Sequence, residues 1–446
     1  MAKITHLFAI KAITVSLLVS GSLEAKVSEQ EVQALGTRLT PIGAEMAGNA
    51  EGSIPAWTGG LSQAQGNYQQ GYAHPFAEET PLFVIDANNY QQYKDKLSAG
   101  QIALFKTYPD TFKMPIYPSH RTSAYPQAVY DVVKANATQA ELVDGGNGVT
   151  GFQQYFPFPI PKSGVELVWN HATRYRGEGA QREIMQVIPL ANGEYTPVEM
   201  QEKFKFVADV QDNTLFYFMQ SVTAPARLSG TVLLVQETMN QVKEPRRAWI
   251  YNAGQRRVRR APQVAYDGPG TAADGQRTSD NLDLYNGAPD RYQWTLVGKR
   301  ELYIPYNAYQ LLQKDLTVAD VVHPGHLNPQ HTRYELHRVW EVEGQVHTGM
   351  RHIYAKRVMY FDEDTYQLAL VDHYDSRGQL WRVAEGHSVY FHDVKIPWYA
   401  AETLYDLVNG RYLVTGLSVD SQGYDFGFQS DKNDYTPSAL RRAGSR

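Results

Sequence analysis

Four arginines within five positions, Arg256, Arg257, Arg259 and Arg260, form the densest basic run of the chain. On an extended strand Arg257 and Arg259 share one face, with Arg256 and Arg260 on the other. Such a run can meet an anionic head group or an acidic partner surface. It can equally be a solvated sheet edge, where charge discourages edge-to-edge pairing. His323, His326 and His331 have a spacing that can bind zinc. Pro324 and Pro329 make that stretch a loop, and no HExxH motif or cysteine pair accompanies it. Hydrogen-bonded loop histidines are expected there, and no metal. Asp280, Asp283 and Asp290 lack the compact spacing of a calcium loop. The chain has no GxSxG elbow, no phosphate-binding loop and no dinucleotide fingerprint, and without cysteine it has no thiol nucleophile. No catalytic residue and no cofactor is expected, although a Ser/His/Asp site built from distant positions stays open.

The other chemistry on offer is apolar. Trp169, Phe216, Phe218, Trp249, Tyr251, Trp340, Tyr354 and Trp381 fall on segments that read as strands. Together they could line a cavity for a lipophilic ligand. An acyl chain gains about 0.8 kcal/mol per buried methylene, so ~14 methylenes gain on the order of 11 kcal/mol. The alternative is that these rings pack beneath covering helices as ordinary core. Thirty tyrosines against sixteen phenylalanines suit sheet faces and amphipathic cavities, because tyrosine joins an apolar body to a polar tip.

The elements that must position these groups are mostly strands. Tyr334, Leu336, Trp340 and Val342 alternate with Glu335, His337, Glu341 and Glu343, the period of a strand with one dry face. Residues 352–361, 366–374 and 379–393 continue this as an antiparallel meander, turning through Asp362-Glu363-Asp364-Thr365 and Asp375-Ser376-Arg377-Gly378. Further strands are expected at 165–175, 182–189, 202–210, 214–221, 231–238, 247–251, 256–260, 292–303 and 412–419. Helical spacing marks 26–39, 88–97, 99–106, 127–140, 309–322 and 399–408. Residues 51–81 read as an extended arm, 266–281 as a Gly/Asp/Thr-rich loop and 421–446 as a polar tail. The expected fold is mainly β (α+β): one large curved antiparallel sheet with helices on its concave side. A single domain over 26–420 is expected, its arm and helices in 26–160 and its sheet with plug helices in 161–420.

Residues 1–25 look like an export leader: Lys3 and Lys11 precede an apolar stretch over 12–21, and Ser22-Leu23-Glu24-Ala25 offers a cleavage site. An N-terminal anchor is the other reading. The absence of cysteine excludes disulfides and a lipid-modified N-terminus of the usual bacterial kind. A net charge of −5 gives no support to nucleic-acid binding. A periplasmic location is expected.

Several phrases are specific enough to place the chain among known families: IPAWTGG at 54–60, KTYPDTFKMPIYPSHRT at 106–122, WNHATRYRG at 169–177, YNAGQRRVRRAPQVAYD at 251–267 and SDNLDLYNGAPDRYQWTLVGKRELYIPYN at 279–307. RYELHRVWEVE and RHIYAKRVMYFDEDTYQLALVDHYDSRGQLWRV complete the set. They resemble the bacterial domain-of-unknown-function family 1329, which is outer-membrane lipoprotein-sorting-like and similar to the periplasmic lipoprotein carriers. The resemblance implies an incomplete antiparallel barrel that holds acyl chains against a helical lid. It also implies an RND-superfamily transporter and an outer-membrane β-barrel protein as partners. No catalytic residues are established for that family, so none is carried over. The expected function is non-catalytic binding and shuttling of a lipid, acyl chain or lipoprotein between an inner-membrane transporter and the outer membrane. A periplasmic lipid or ester hydrolase and a trans-envelope adaptor are the alternatives.

Overall fold

The computed structural model describes residues 27–61, 74–261, 264, 266–419 and 421–444; the expected leader and its cleavage site lie outside the described residues. Short pieces come first. Helix α1 (Glu29–Val32) is a single turn opened by a Ser28–Glu31 capping box. It ends early because the chain doubles back through Gly36, at φ +78°. Strand β1 (Phe83–Ile85), helix α2 (Ala99–Thr107) and strand β2 (Met114–Ile116) follow, β1 pairing antiparallel with β2. Residues 90–96, inside the expected helix over 88–97, form a 3-10 helix. Helix α3 (Gln127–Gln139) leads into the hairpin of β3 (Glu141–Val143) and β4 (Gly148–Thr150).

Residues 165–175, expected as a strand, form helix α4 (Gly164–Thr173) instead. Ser163 and Glu166 make a capping box that starts it, a local signal stronger than the short apolar alternation that follows. Gly164 lets the helix begin against the sheet, since a Cβ there would lie 2.8 Å from Val342 Cγ1.

The main sheet then builds through β5 (Gly179–Val187), β6 (Val198–Asp209), β7 (Thr214–Ala224), β8 (Val232–Thr238), β9 (Arg247–Asn252) and β10 (Arg257–Arg260). Its second half is β11 (Tyr292–Pro305), the short helix α5 (Val318–Val321), β12 (Tyr334–Val346), β13 (Lys356–Asp362), β14 (Leu368–Tyr374), β15 (Leu380–Phe391), β16 (Ile396–Asp406) and β17 (Tyr412–Leu417). The small strand β18 (Tyr424–Asp425) and helix α6 (Pro437–Gly444) end the described chain. The halves meet where β17 pairs with β5, so the order runs β12 to β17, then β5 to β10, with β11 flanking β12. Sixteen strands share this sheet. The meander turns are fixed by their own side chains: Asp375 Oδ1 accepts from the backbone N–H groups of Arg377 and Gln379, both at 2.9 Å.

Of residues 399–408, expected as a helix, 399–406 belong to β16, which is buried at all eleven positions, and 407–408 turn beyond it. A strand covered on both sides shows no polar alternation, so its Ala/Leu/Tyr content reads as helix. Residues 309–322 supply only a 3-10 turn and α5.

Both faces of the sheet are covered. The inner face, on which α4 lies, carries Phe204, Phe216, Phe218, Val235, Val342, Met359 and Phe361, all in one core cluster with Leu167 and Trp169 of α4. On the outer face α2 sits over β14 and β15, its Gly100 N–H donating to Asp372 Oδ2 at 3.0 Å. Helix α6 covers Met219, Leu234 and Tyr251 of β7–β9. The few helices are thus divided between the faces rather than gathered on one, because each apolar face needs a cover. The tail is not merely polar: Ala439 and Leu440 are buried in that contact.

Candidate functional site

A larger cleft of about 750 Å³ is lined by Gln186, Val198, Leu228 and Ala272, and another open space lies beside β6 and β7. A cleft of about 470 Å³ runs between α3, the C-terminal end of α4 and these strands. Ala128, Val129 and Val132 of α3 form one wall, and Phe206, Ala208 and Leu215 form the floor. Helix α3 starts at Gln127 behind Pro126 and turns Val129, Val133 and Ala137 into the core, leaving Ala128 and Val132 to face the cleft. Its ionisable lining is Arg174, Arg176, Glu178, Lys205, Tyr155 and Tyr175.

Arg176 joins the cleft to the interior. Its guanidinium lies 4.4 Å from the Phe206 ring centroid and 5.7 Å from that of Trp398. Arg174 and Arg176 both donate to Asp283 Oδ2, at 2.8 and 3.0 Å. These cations hold the Asp283 carboxyl well below its usual range against the cost of burial. Burial and the neighbouring Arg174 pull Arg176 down to about 9. His171 completes the corner, accepting from the Leu368 N–H at 3.2 Å and facing the Asp283 carbonyl at 2.9 Å. Burial, with Arg174 beside it, pushes this imidazole down to about 3, so it is neutral.

Asp283 belongs to the segment 266–289, which threads across the inner face. Arg357 donates to Asp280 Oδ2 at 2.7 Å, and His352 Nε2 faces the same oxygen at 3.0 Å. Asn281 Nδ2 meets His373 Nε2 at 2.9 Å, the Leu284 N–H donates to Glu402, and Arg382 donates to the Gly275 carbonyl. The interior over β13–β17 is therefore filled by the chain itself. Beneath the segment a small cavity of about 40 Å³ stays open over Phe216, Phe218, Leu233 and Val235, roofed by Thr271, Arg277 and Leu282. Phe206 of the cleft and Phe216 of the cavity touch edge to face at 6.3 Å between centroids, so the two spaces share an aromatic floor.

Of the eight aromatic candidates, Phe216 and Phe218 meet in this cavity. Trp169 is buried in α4 and donates its Nε1–H to the Gly146 carbonyl at 2.9 Å. Trp249 and Tyr251 lie on the outer face against α6. Trp340 packs under Lys299, whose Nζ lies 4.6 Å from its centroid. Tyr354 is fully buried and accepts from Arg382 at 2.9 Å, while Trp381 donates to Asp406 at 3.1 Å. The eight do not form one lining. Strand alternation fixes which residues share a face within a strand, but not which faces of distant strands coincide. Arg256 sits in a turn at φ +50°, and Arg257, Arg259 and Arg260 ride the terminal strand β10, all four exposed.

The loop histidines do not converge. His326 is buried, its ring nitrogens facing Thr111 Oγ1 at 2.8 Å and the Leu327 carbonyl at 2.7 Å, and His323 offers its carbonyl to the Tyr412 hydroxyl. A tighter group, His337, Asp362 and Asp364, lies within 4.8 Å on other strands and was not singled out in the sequence. Its members are already engaged. Arg121 clamps both oxygens of Asp364 at 2.6 and 2.9 Å, Thr365 donates to Asp362 at 2.7 Å, and His337 faces Glu335 at 3.1 Å. Arg174 and Arg176 were missed because 165–175 read as a strand, and Asp283 was weighed only as a calcium ligand and set aside. The signal available was WNHATRYRG itself, two arginines one residue apart just beyond a capped helix.

The family described as Protein of unknown function (DUF1329) matches residues 84–441. The chain belongs to that family. An uncharacterized protein of Pseudomonas aeruginosa is 56% identical to this DUF1329 chain over 439 residues, 96% of each sequence. Among solved structures, a putative outer membrane lipoprotein-sorting protein domain from Vibrio parahaemolyticus has a TM-score of 0.45 at 17% identity, over 63% of this chain and 98% of that one. A DUF1329 family protein from Desulfovibrio piger has a TM-score of 0.44 at 13% identity, over 62% and 96%. A LolA superfamily protein from Nitrosomonas europaea has a TM-score of 0.39 at 11% identity, over 63% and 100%. Among the described residues no helix is long and apolar enough to cross a membrane.

Proposed function

We propose that this chain is a non-catalytic binding protein for an amphiphile whose apolar chain lies in the cleft between α3 and β6–β7. The cleft carries the reading: about 470 Å³ falls within the ~300–1,000 Å³ of ordinary ligand sites. Its lining is mixed: Ala128, Val129, Val132, Phe206, Ala208 and Leu215 offer apolar surface, and Arg174, Arg176 and Lys205 stand where a charged head would be met. About ten buried methylenes contribute about 8 kcal/mol before the cost of association is subtracted. Together with the leader-like N-terminus, this supports a periplasmic shuttle working between an RND-type transporter and an outer-membrane barrel. A second reading, a trans-envelope adaptor, is favoured by the filled interior over β13–β17.

Organic extraction of the protein purified from a bacterial envelope separates the two. The carrier reading expects an apolar compound by mass spectrometry in the wild type, and its loss in Ala128→Trp and Val132→Trp, which fill the cleft without touching the sheet. An empty extract, together with no binding of added dodecanoate, would leave the adaptor.

A further inference from the structure

The roofed cavity holds a charge that the protein does not balance. Arg277 is 7% exposed, its Nε has no hydrogen-bond partner, and no carboxylate oxygen of the described residues lies within 4.0 Å of it. The two acids nearest in its field are Glu202 and Glu402. Glu202 is already taken by Arg182 Nε and Gln220 Nε2, both at 2.6 Å. Glu402 accepts from the Leu284 N–H, and burial, reinforced by Asp283, pushes its carboxyl above the usual range, which weakens it as a counter-ion. Arg246, on the same cavity, is paired with Glu237. A buried guanidinium without its own anion is costly, and such an orphan calls for a partner from outside the chain. Beside it the floor is apolar, made by Phe216, Phe218, Leu233 and Val235. Gln220 Oε1, unpartnered on the same space, is an acceptor and offers an anion nothing, so Arg277 alone carries the recognition.

We infer that Arg277 and this cavity form an anion subsite that takes the acidic head of the bound amphiphile, a carboxylate being the simplest case, with the apolar chain continuing over Phe216 and Phe206 toward the cleft. The inference rests on the binding role proposed above and names the ligand class: an acidic amphiphile rather than a neutral one. At about 40 Å³ the cavity has room for a small head group and not for the chain behind it. The chain enters when the segment 266–289 lifts from the strands, its charged anchors being Asp280 on Arg357 and Asp283 on Arg174 and Arg176.

Calorimetric titration of the full chain with dodecanoate and with 1-dodecanol tests this. The wild type is expected to bind dodecanoate at least tenfold more tightly than the alcohol. Arg277→Met should abolish that preference, keep alcohol binding and leave thermal stability unchanged or raised, since an apolar side chain replaces an uncompensated charge. Equal affinity for both probes in the wild type, or a preference that survives Arg277→Met, overturns the subsite while leaving the binding role intact. A marked loss of stability in Arg277→Met with the preference retained shows Arg277 to be a structural partner of Glu402. Should that variant not fold, Arg277→Lys replaces it: a reduced preference for dodecanoate upholds the assignment and an unchanged one overturns it. Binding of neither probe overturns the parent reading and the subsite together.

Discussion

Glu385 sits wholly inside the outer face, and among the described residues no cation is paired with it. Tyr334 donates to its Oε2 at 3.0 Å, and Gln101 approaches its other oxygen at 3.5 Å. Burial pushes its carboxyl from 4.5 up to about 7. Below pH 4.5 the folded and unfolded states both hold the proton. As the pH rises toward 7, the unfolded chain releases it while the folded chain keeps it, so this residue subtracts stability over that window. Glu385→Gln keeps an acceptor for Tyr334 and cannot ionise. The variant should match the wild type near pH 4 and exceed it by on the order of 3 kcal/mol at pH 8. Urea unfolding at both pH values measures this; an equal or lower midpoint at pH 8 would contradict it. Arg121 shows the opposite economy: its buried bidentate pair with Asp364 also leaves donors for the Glu45 and Met46 carbonyls, which fastens the N-terminal arm to the sheet.

At the scale of elements, α6 closes the outer face of β7–β9. Tyr435, just before it, stacks on Tyr217 at 5.5 Å and accepts from Gln236 through its carbonyl at 2.8 Å. Leu440 and Ala439 complete the cover over Tyr251. A chain ending at Gln429 should lose about 3–5 kcal/mol, two or three buried side chains' worth, and self-associate through the exposed strands. Denaturant unfolding and sedimentation velocity read these changes; an unaltered midpoint in a monomeric truncation would remove α6 from the fold's essentials. The same elements show what sequence reading can reach. The meander β12–β15 was legible because its turns carry Asp and Gly where the backbone needs them, with Gly378 at φ +76°. Strand β16 was not, since burial at every position erases its period. Helix α4 was hidden by apolar residues that fit either template, although Ser163 and Glu166 marked its start.

Across the whole molecule, the curved antiparallel sheet was readable from alternation and turns, whereas the candidate site was readable only in part. Phe216 and Phe218 were found because they share a face of one strand. The cleft depends on α3, α4 and β6–β7 meeting in space, and the interior depends on 266–289, whose Asp280 and Asp283 reach arginines at 357, 174 and 176. No local pattern encodes such pairings. What results is a sheet plugged by its own chain over one half and open beside β6–β7 over the other. The account stands on that open half being where a guest resides. Photo-crosslinking with dodecanoate bearing a terminal diazirine, followed by peptide mapping, locates it directly. Adducts confined to 127–139, 154–155, 172–178 and 198–224, and suppressed by excess unlabelled dodecanoate, are the predicted result; labelling elsewhere, or labelling that competitor does not suppress, would contradict it.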